Sequence, residues 1–187
     1  MIVMKKKTNV KWVIKVVLIS VVASMTFTLV SAEVLGNAGH VIAFLVLALF
    51  ILVGIIFDLI GLAVASAVPA PFHSMAAHRG YGAMEAIRLL KNADKVSSFC
   101  NDVVGDVTGI ISGSMAALIG AALLGGGVTD HLLLRLLIPA AVTGLTVGGK
   151  AVSKPLAFNN NVAIVLCVGK IIAAFNRIFR PGLARQK

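Results

Sequence analysis

Residues Lys91–Leu124 read KNADKVSSFCNDVVGDVTGIISGSMAALIGAALL, and they decide the fold. The stretch begins as charged surface and turns into an apolar helix long enough to enter a bilayer, for which about 20 apolar residues suffice. Asp102 and Asp106 ride in on it, four residues apart and so on one face of a helix with about 3.6 residues per turn. Thr108, Ser112 and Ser114 follow on or near that face. Gly105, Gly109 and Gly113 recur at every fourth position as a flat stripe that another helix can approach closely. Acidic groups at membrane depth are costly and by default line a cavity or pathway. The plainer reading puts both carboxylates at the water-facing end of the helix, level with the lipid headgroups.

Composition agrees that the medium is lipid. Across 187 residues, 59% are hydrophobic and only 13% charged, which lies outside the range of soluble domains and makes this an integral membrane protein. The net charge of +10 would point to nucleic acid in a soluble chain, but here the basic residues flank apolar segments and report topology. With one Trp and one Tyr there is no stacking platform for bases, so no nucleic-acid partner is expected. Cys100 and Cys167 lie in apolar surroundings without CxxC or Cys/His spacing, which fits free thiols packed as small hydrophobes.

Upstream of the organising stretch, Lys5, Lys6, Lys7, Lys11 and Lys15 precede an uncharged run, Val16–Ala32. It reads as a first transmembrane helix. It also reads as a signal peptide, because Val30-Ser31-Ala32 is an acceptable cleavage site after a basic start. His40–Val68 is a second apolar segment with one charge, Asp58, and Val68-Pro69-Ala70-Pro71 ends it, since proline removes a donor and disfavours helix before it. Phe72–Lys95 is amphipathic, with Met75, Ala76, Tyr81, Met84, Ile87 and Leu90 set against His78, Arg79, Glu85, Arg88, Lys91 and Lys95. Such a basic hairpin is expected in the membrane interface. Downstream, residues 125–130 form a tight connector, and His131–Gly149 is another span that Pro139 should kink. Lys150–Pro155 reads as a basic break. Val162–Phe179, interrupted by Lys170 and Arg177, reads as an interfacial helix, with a further crossing left open by periodicity alone.

Orientation follows from the distribution of Lys and Arg. Of 17 such residues all but Arg135 fall in 1–15, 69–100 and 150–187, and the connectors 33–39 and 125–130 hold none. The positive-inside rule then puts both termini and the hairpin in the cytoplasm, in a multi-pass protein of the plasma membrane. The expected fold is all-α: a three-span core with a cytoplasmic amphipathic hairpin and an interfacial C-terminal helix over 39–187, plus an extra N-terminal span over 1–38.

From His40 onward the chain resembles the transmembrane domain of the cyclin M (CNNM) / CorB / CorC family of magnesium transport proteins. The resemblance lies in Gly82–Ser98, GAMEAIRLLKNADKVSS, similar to that family's hairpin. It continues in Gly149–Ala157, GKAVSKPLA, which echoes its G-E-I-x-P-K-x-L-A motif, and in Phe179-Arg180-Pro181 at the end of its interfacial helix. The departures are specific. The serines and glutamate of the first family motif fall near Ala65, Ala67 and Val68, with Ser66 alone keeping a hydroxyl. The asparagine-rich stretch keeps only a displaced Asn101 beside Asp102 and Asp106, and the glutamate of the later motif falls on Lys150. The paired nucleotide-binding CBS domains typical of the family have no counterpart within the 187 residues.

The resemblance implies a homodimer and a magnesium site near Ser66, Asn101, Asp102 and Asp106, whose oxygens are what a hard cation takes. Lys150 is the complication. Its ammonium either snorkels to the headgroups or reaches inward to pair with Asp58, Asp102 or Asp106. Two functions are therefore expected: a divalent-cation transporter or exchanger, or a family-shaped scaffold or regulatory subunit that packs against another membrane protein. Enzyme chemistry is not expected. His40, His73, His78 and His131 are dispersed without an i, i+4 pair, and Ser112-Gly113-Ser114 lacks a nearby base.

Overall fold

The computed structural model describes residues 10–37, 39–124 and 132–179, and their regular structure is all helical. In order these are α1 (Val10–Asn37), α2 (Gly39–Ser66), α3 (Ala70–Ala77), α4 (Ala83–Lys91), α5 (Ala93–Ser98), a π-helical segment (Phe99–Asp106), α6 (Val107–Leu124), α7 (Leu132–Asn159) and α8 (Asn161–Phe179). Four apolar stretches among the described residues are long enough to cross a bilayer: Val41–Ser66, Ala93–Leu123, Leu136–Asn159 and Asn161–Ile178. The molecule is a multi-pass α-helical membrane protein. The expected connector over 125–130 lies outside the described residues.

Helix α2 is the axis of the bundle. Ala43, Leu47, Phe50, Ile51, Gly54, Asp58 and Gly61 are all buried, at the three- and four-residue spacing that places them on one stripe. Its first half packs large side chains: Ala43, Leu47, Phe50 and Ile51 meet Val107, Ile111, Met115, Ala116 and Ile119 of α6, with Ile138 and Val142 of α7 closing the cluster. In the second half Gly54 lies against Thr108 and Gly61 against Asn101, so α2 runs antiparallel to the π segment and α6. Gly149 of α7 faces Ile55 and Ser153 faces Asp58, so α7 runs parallel to α2. Helix α1 packs on α2, the π segment and α6, and the Lys95 ammonium lies 5.6 Å from the centre of the Trp12 ring. That cation–π contact brings the start of α1 to the same end of the bundle as the end of α2.

A second core closes this end. Ala63 and Val64 at the end of α2 meet Phe72 of α3, Ala86 and Ile87 of α4, Ala157 of α7 and Val165 of α8. The chain turns here as expected at Val68–Pro71: α2 stops at Ser66 and Pro71 enters the first turn of α3. The amphipathic hairpin is α3 and α4, but α4 buries Ala83, Ala86 and Ile87, while Tyr81 and Met84 are exposed. Gly82 starts α4 at φ +82°, in the left-handed region, and its backbone touches that of Gly169 and Lys170. Only glycine meets both demands there.

Two expectations are corrected. Lys150–Pro155 is no break: α7 continues through it to Asn159, and the chain turns at Asn160 instead. Proline is tolerated within spanning helices because neighbouring helices and local adjustments re-satisfy the freed backbone groups, and α7 carries Pro139 and Pro155 in this way. Thr108 and Ser112 do not share the carboxylate face. Both are buried, Thr108 against Gly54 of α2, whereas Asp102, Asp106, Ile110 and Ser114 are exposed.

Candidate functional site at the α2, π-segment and α7 seam

Polar residues collect where α2 becomes small. Gly54 and Gly61 remove side chains from α2; Thr108 of α6 takes the space at Gly54 and the π segment takes that at Gly61, a segment whose wider i→i+5 turns are rare and concentrate at functional sites. Among the described residues, Gly105 is the one glycine of the 105/109/113 stripe with neighbours in reach of an added Cβ. A Cβ there would lie 3.3 Å from the Cys100 carbonyl, 3.6 Å from Lys150 Nζ and 3.9 Å from the Gly54 carbonyl, whereas Gly109 and Gly113 meet nothing within 4 Å.

Helix α7 contributes the third wall through Thr146, Gly149, Lys150, Ser153 and Ala157, one stripe at three- and four-residue spacing. Lys150 reaches inward. Its Nζ donates to the Gly105 carbonyl at 3.1 Å and to Asp106 Oδ1 at 3.4 Å. The ammonium side chain is 21% exposed and the Asp106 side chain 65%, so the pair straddles the boundary: the cation is largely enclosed and its anion is wet. An ion pair with so exposed a partner contributes about 0–1 kcal/mol to stability. The carbonyl contact, in a poorer dielectric, holds the ammonium inward.

Asp58 is buried on α2, one turn from this pair. It has no ion pair among the described residues. Ser153 Oγ lies 3.5 Å from Asp58 Oδ2 and 2.8 Å from the Lys150 carbonyl. One hydroxyl proton serves one acceptor, and the shorter contact takes it, so Asp58 is only weakly bonded. The other hydroxyls bond their own helices: Thr108 to the Val104 carbonyl at 2.7 Å, Ser112 to Gly109 at 2.9 Å and Thr146 to Val142 at 2.8 Å. Each hydroxyl spends its proton on its own helix and keeps its oxygen lone pairs.

The expected cation ligands do not converge. Ser66 Oγ donates to the Ala63 carbonyl of its own helix at 3.2 Å, Asp102 is exposed, and Asp106 holds Lys150. Asn101 is the exception. Its Nδ2 donates to Ser97 Oγ at 3.4 Å, while Oδ1 is buried against Gly61 with no partner among the described residues. An orphaned amide oxygen suits a hard cation, but it is one neutral ligand where six or more oxygens are usual. No group of three or more His, Cys, Asp or Glu side chains able to hold a metal occurs among the described residues. The donor set therefore fits an internal ammonium better than a standing divalent ion.

No family model, no curated protein and no solved structure matches the chain. The site rests on its own geometry.

Sequence reasoning named Asp58, Asn101, Asp106 and Lys150 but missed Gly54, Gly61 and Ser153. The signal was present: Gly54, Asp58 and Gly61 share one stripe of an otherwise large-residue helix.

Proposed function

We propose that this chain is a membrane scaffold or regulatory subunit of CNNM/CorC-like shape, in which a built-in ammonium stands where the resembling proteins hold their cargo cation. The observation that supports it is the inward Lys150, bonded to the Gly105 carbonyl and Asp106. Lys150 supplies a tethered positive charge that neutralises the seam without a metal and locks α7 to the π segment. In this reading α8, which packs on α4 and the end of α2 and hardly along α7, lies in the interface with the hairpin. The basic end of the bundle faces the cytoplasm. A second copy of the chain covers Gly109 and Gly113.

Magnesium uptake into proteoliposomes tests the function. Wild-type protein is expected to give no flux above empty vesicles, and robust flux would remove the scaffold reading. Orientation is checked separately in a chain with Cys100 and Cys167 replaced by alanine. Arg79→Cys should label only from the cytoplasmic side and Thr129→Cys only from outside.

A second reading, magnesium transport proper, has one observation in its favour: the orphaned Asn101 Oδ1 beside Gly61. There Lys150 is a displaceable occupant that leaves when the ion enters. Flux in the wild type that falls with Asn101→Leu supports this reading over the first.

A further inference from the structure

The hairpin, α5 and α8 form a layer whose described residues include Arg79, Arg88, Lys91, Lys95, Lys170 and Arg177, all exposed, against the acids Glu85 and Asp94. Within this layer an open groove of about 260 Å³ lies between α4, α5 and α8. Its floor is apolar, from Leu89, Val96 and Ile172, and its rim is polar, from Glu85, Arg88, Asn92 and Asn176. The rim carries one carboxylate, and Glu85 already pairs with Arg88 at 3.5 Å. That pairing does not exhaust Arg88, whose side chain is 68% exposed and whose guanidinium has five donors. Asn92 Nδ2 donates to the Arg88 carbonyl at 3.3 Å and fixes the turn that carries the groove from α4 into α5. Lys91 and Lys95 flank it in sequence on the same two helices.

We propose that this groove binds the headgroup of an anionic phospholipid, with the first carbons of its chains on Leu89, Val96 and Ile172. Charge complementarity selects the lipid. An uncompensated basic excess on an amphipathic layer at the membrane surface attracts anionic headgroups, and each Lys or Arg near the surface favours them roughly fivefold. The apolar floor distinguishes a lipid from a soluble phosphate, which would gain nothing from it. The volume lies below the roughly 300–1,000 Å³ of an enclosed small-molecule pocket, which suits a ligand whose bulk stays in the bilayer.

Trp12, the single tryptophan, reports on this place, because it lies against Lys95, the neighbour of Val96. Wild-type protein is reconstituted in phosphatidylcholine vesicles containing one quarter brominated phosphatidylglycerol, or one quarter brominated phosphatidylcholine, and Trp12 quenching is compared. The expected result is a several-fold preference for phosphatidylglycerol, which Arg88→Gln with Lys91→Gln brings close to equality. Asn176→Leu leaves the net charge unchanged and should also reduce the preference, which diffuse attraction to a basic surface would not produce. Quenching by both lipids in equal measure in the wild type overturns the proposal, and so does a preference that Asn176→Leu leaves intact.

Discussion

The two halves of α2 are packed by opposite means. From Ala43 to Ile51 the helix meets α6 through apolar side chains, and from Gly54 to Gly61 it meets the first turn of α6 and the π segment through glycine carbon against the Thr108 hydroxyl and the Asn101 amide. Lipid tails are as apolar as leucine, so the first half is held by the fit of side chains and not by escape from water. The second half forgoes that fit and gains close approach, which lets the Gly105 carbonyl and the Asp106 carboxylate meet around one lysine. Adhesion and chemistry are thus separated along a single helix.

The largest expected effect comes from closing the approach. Gly61→Leu would drive a side chain into Asn101 and Cys100, and overpacking of this kind costs about 1–3 kcal/mol, more where backbone cannot move. We expect loss of the monodisperse peak in size-exclusion chromatography, and a variant as heat-stable as wild type would mean that the close approach is dispensable. Met115→Ala probes the other half. In water such a truncation costs about 2–5 kcal/mol. Without a hydrophobic term between helices the expectation here falls below that range, about 1–2 kcal/mol, read by denaturant unfolding in detergent.

Lys150→Ala should lower stability by less than about 1 kcal/mol because Asp106 is well exposed, yet it should create divalent-cation binding that Lys150→Ala with Asp106→Asn loses again. Isothermal calorimetry of the two variants separates these outcomes. Smallest of all, Gly109→Leu should change protomer stability by no more than about 0.5 kcal/mol, since a Cβ there meets nothing within 4 Å. If it shifts the monomer–dimer equilibrium measured by sedimentation, a second copy covers that face, and an unchanged equilibrium sends the glycines to lipid.

What was legible in the sequence had local chemistry behind it. Pro69 and Pro71 end α2 because of what proline cannot donate, and the apolar lengths announce the candidate spans Val41–Ser66, Ala93–Leu123 and Leu136–Asn159. Asn161–Ile178, long and apolar enough to cross, reads in the sequence as interfacial because Lys170 and Arg177 interrupt it. An inward reach of Lys150 toward Asp58, Asp102 or Asp106 was one of two readings, and the structure selects Asp106. The rest depends on partners distant in sequence. Nothing in FCNDVVGD specifies a π-helix, and the widened turn is fitted to the space that Gly54 and Gly61 leave on α2. The burial of Thr108 against Gly54 belongs to the same fit. Likewise the continuity of α7 through Pro155 could not be read from a cluster of lysine and proline that elsewhere marks a break.

The central claim is that the Lys150 ammonium occupies the position of a cation, and the charge reversal Lys150→Glu tests it most directly. Calorimetric titration of purified protein with magnesium should give no heat of binding for the wild type at millimolar concentration. It should give a saturable signal for Lys150→Glu, whose carboxylate would join Asp106 and the Gly105 carbonyl around the incoming ion. A wild type that binds magnesium as tightly as Lys150→Glu, or a Lys150→Glu protein that folds and binds none, would contradict the account.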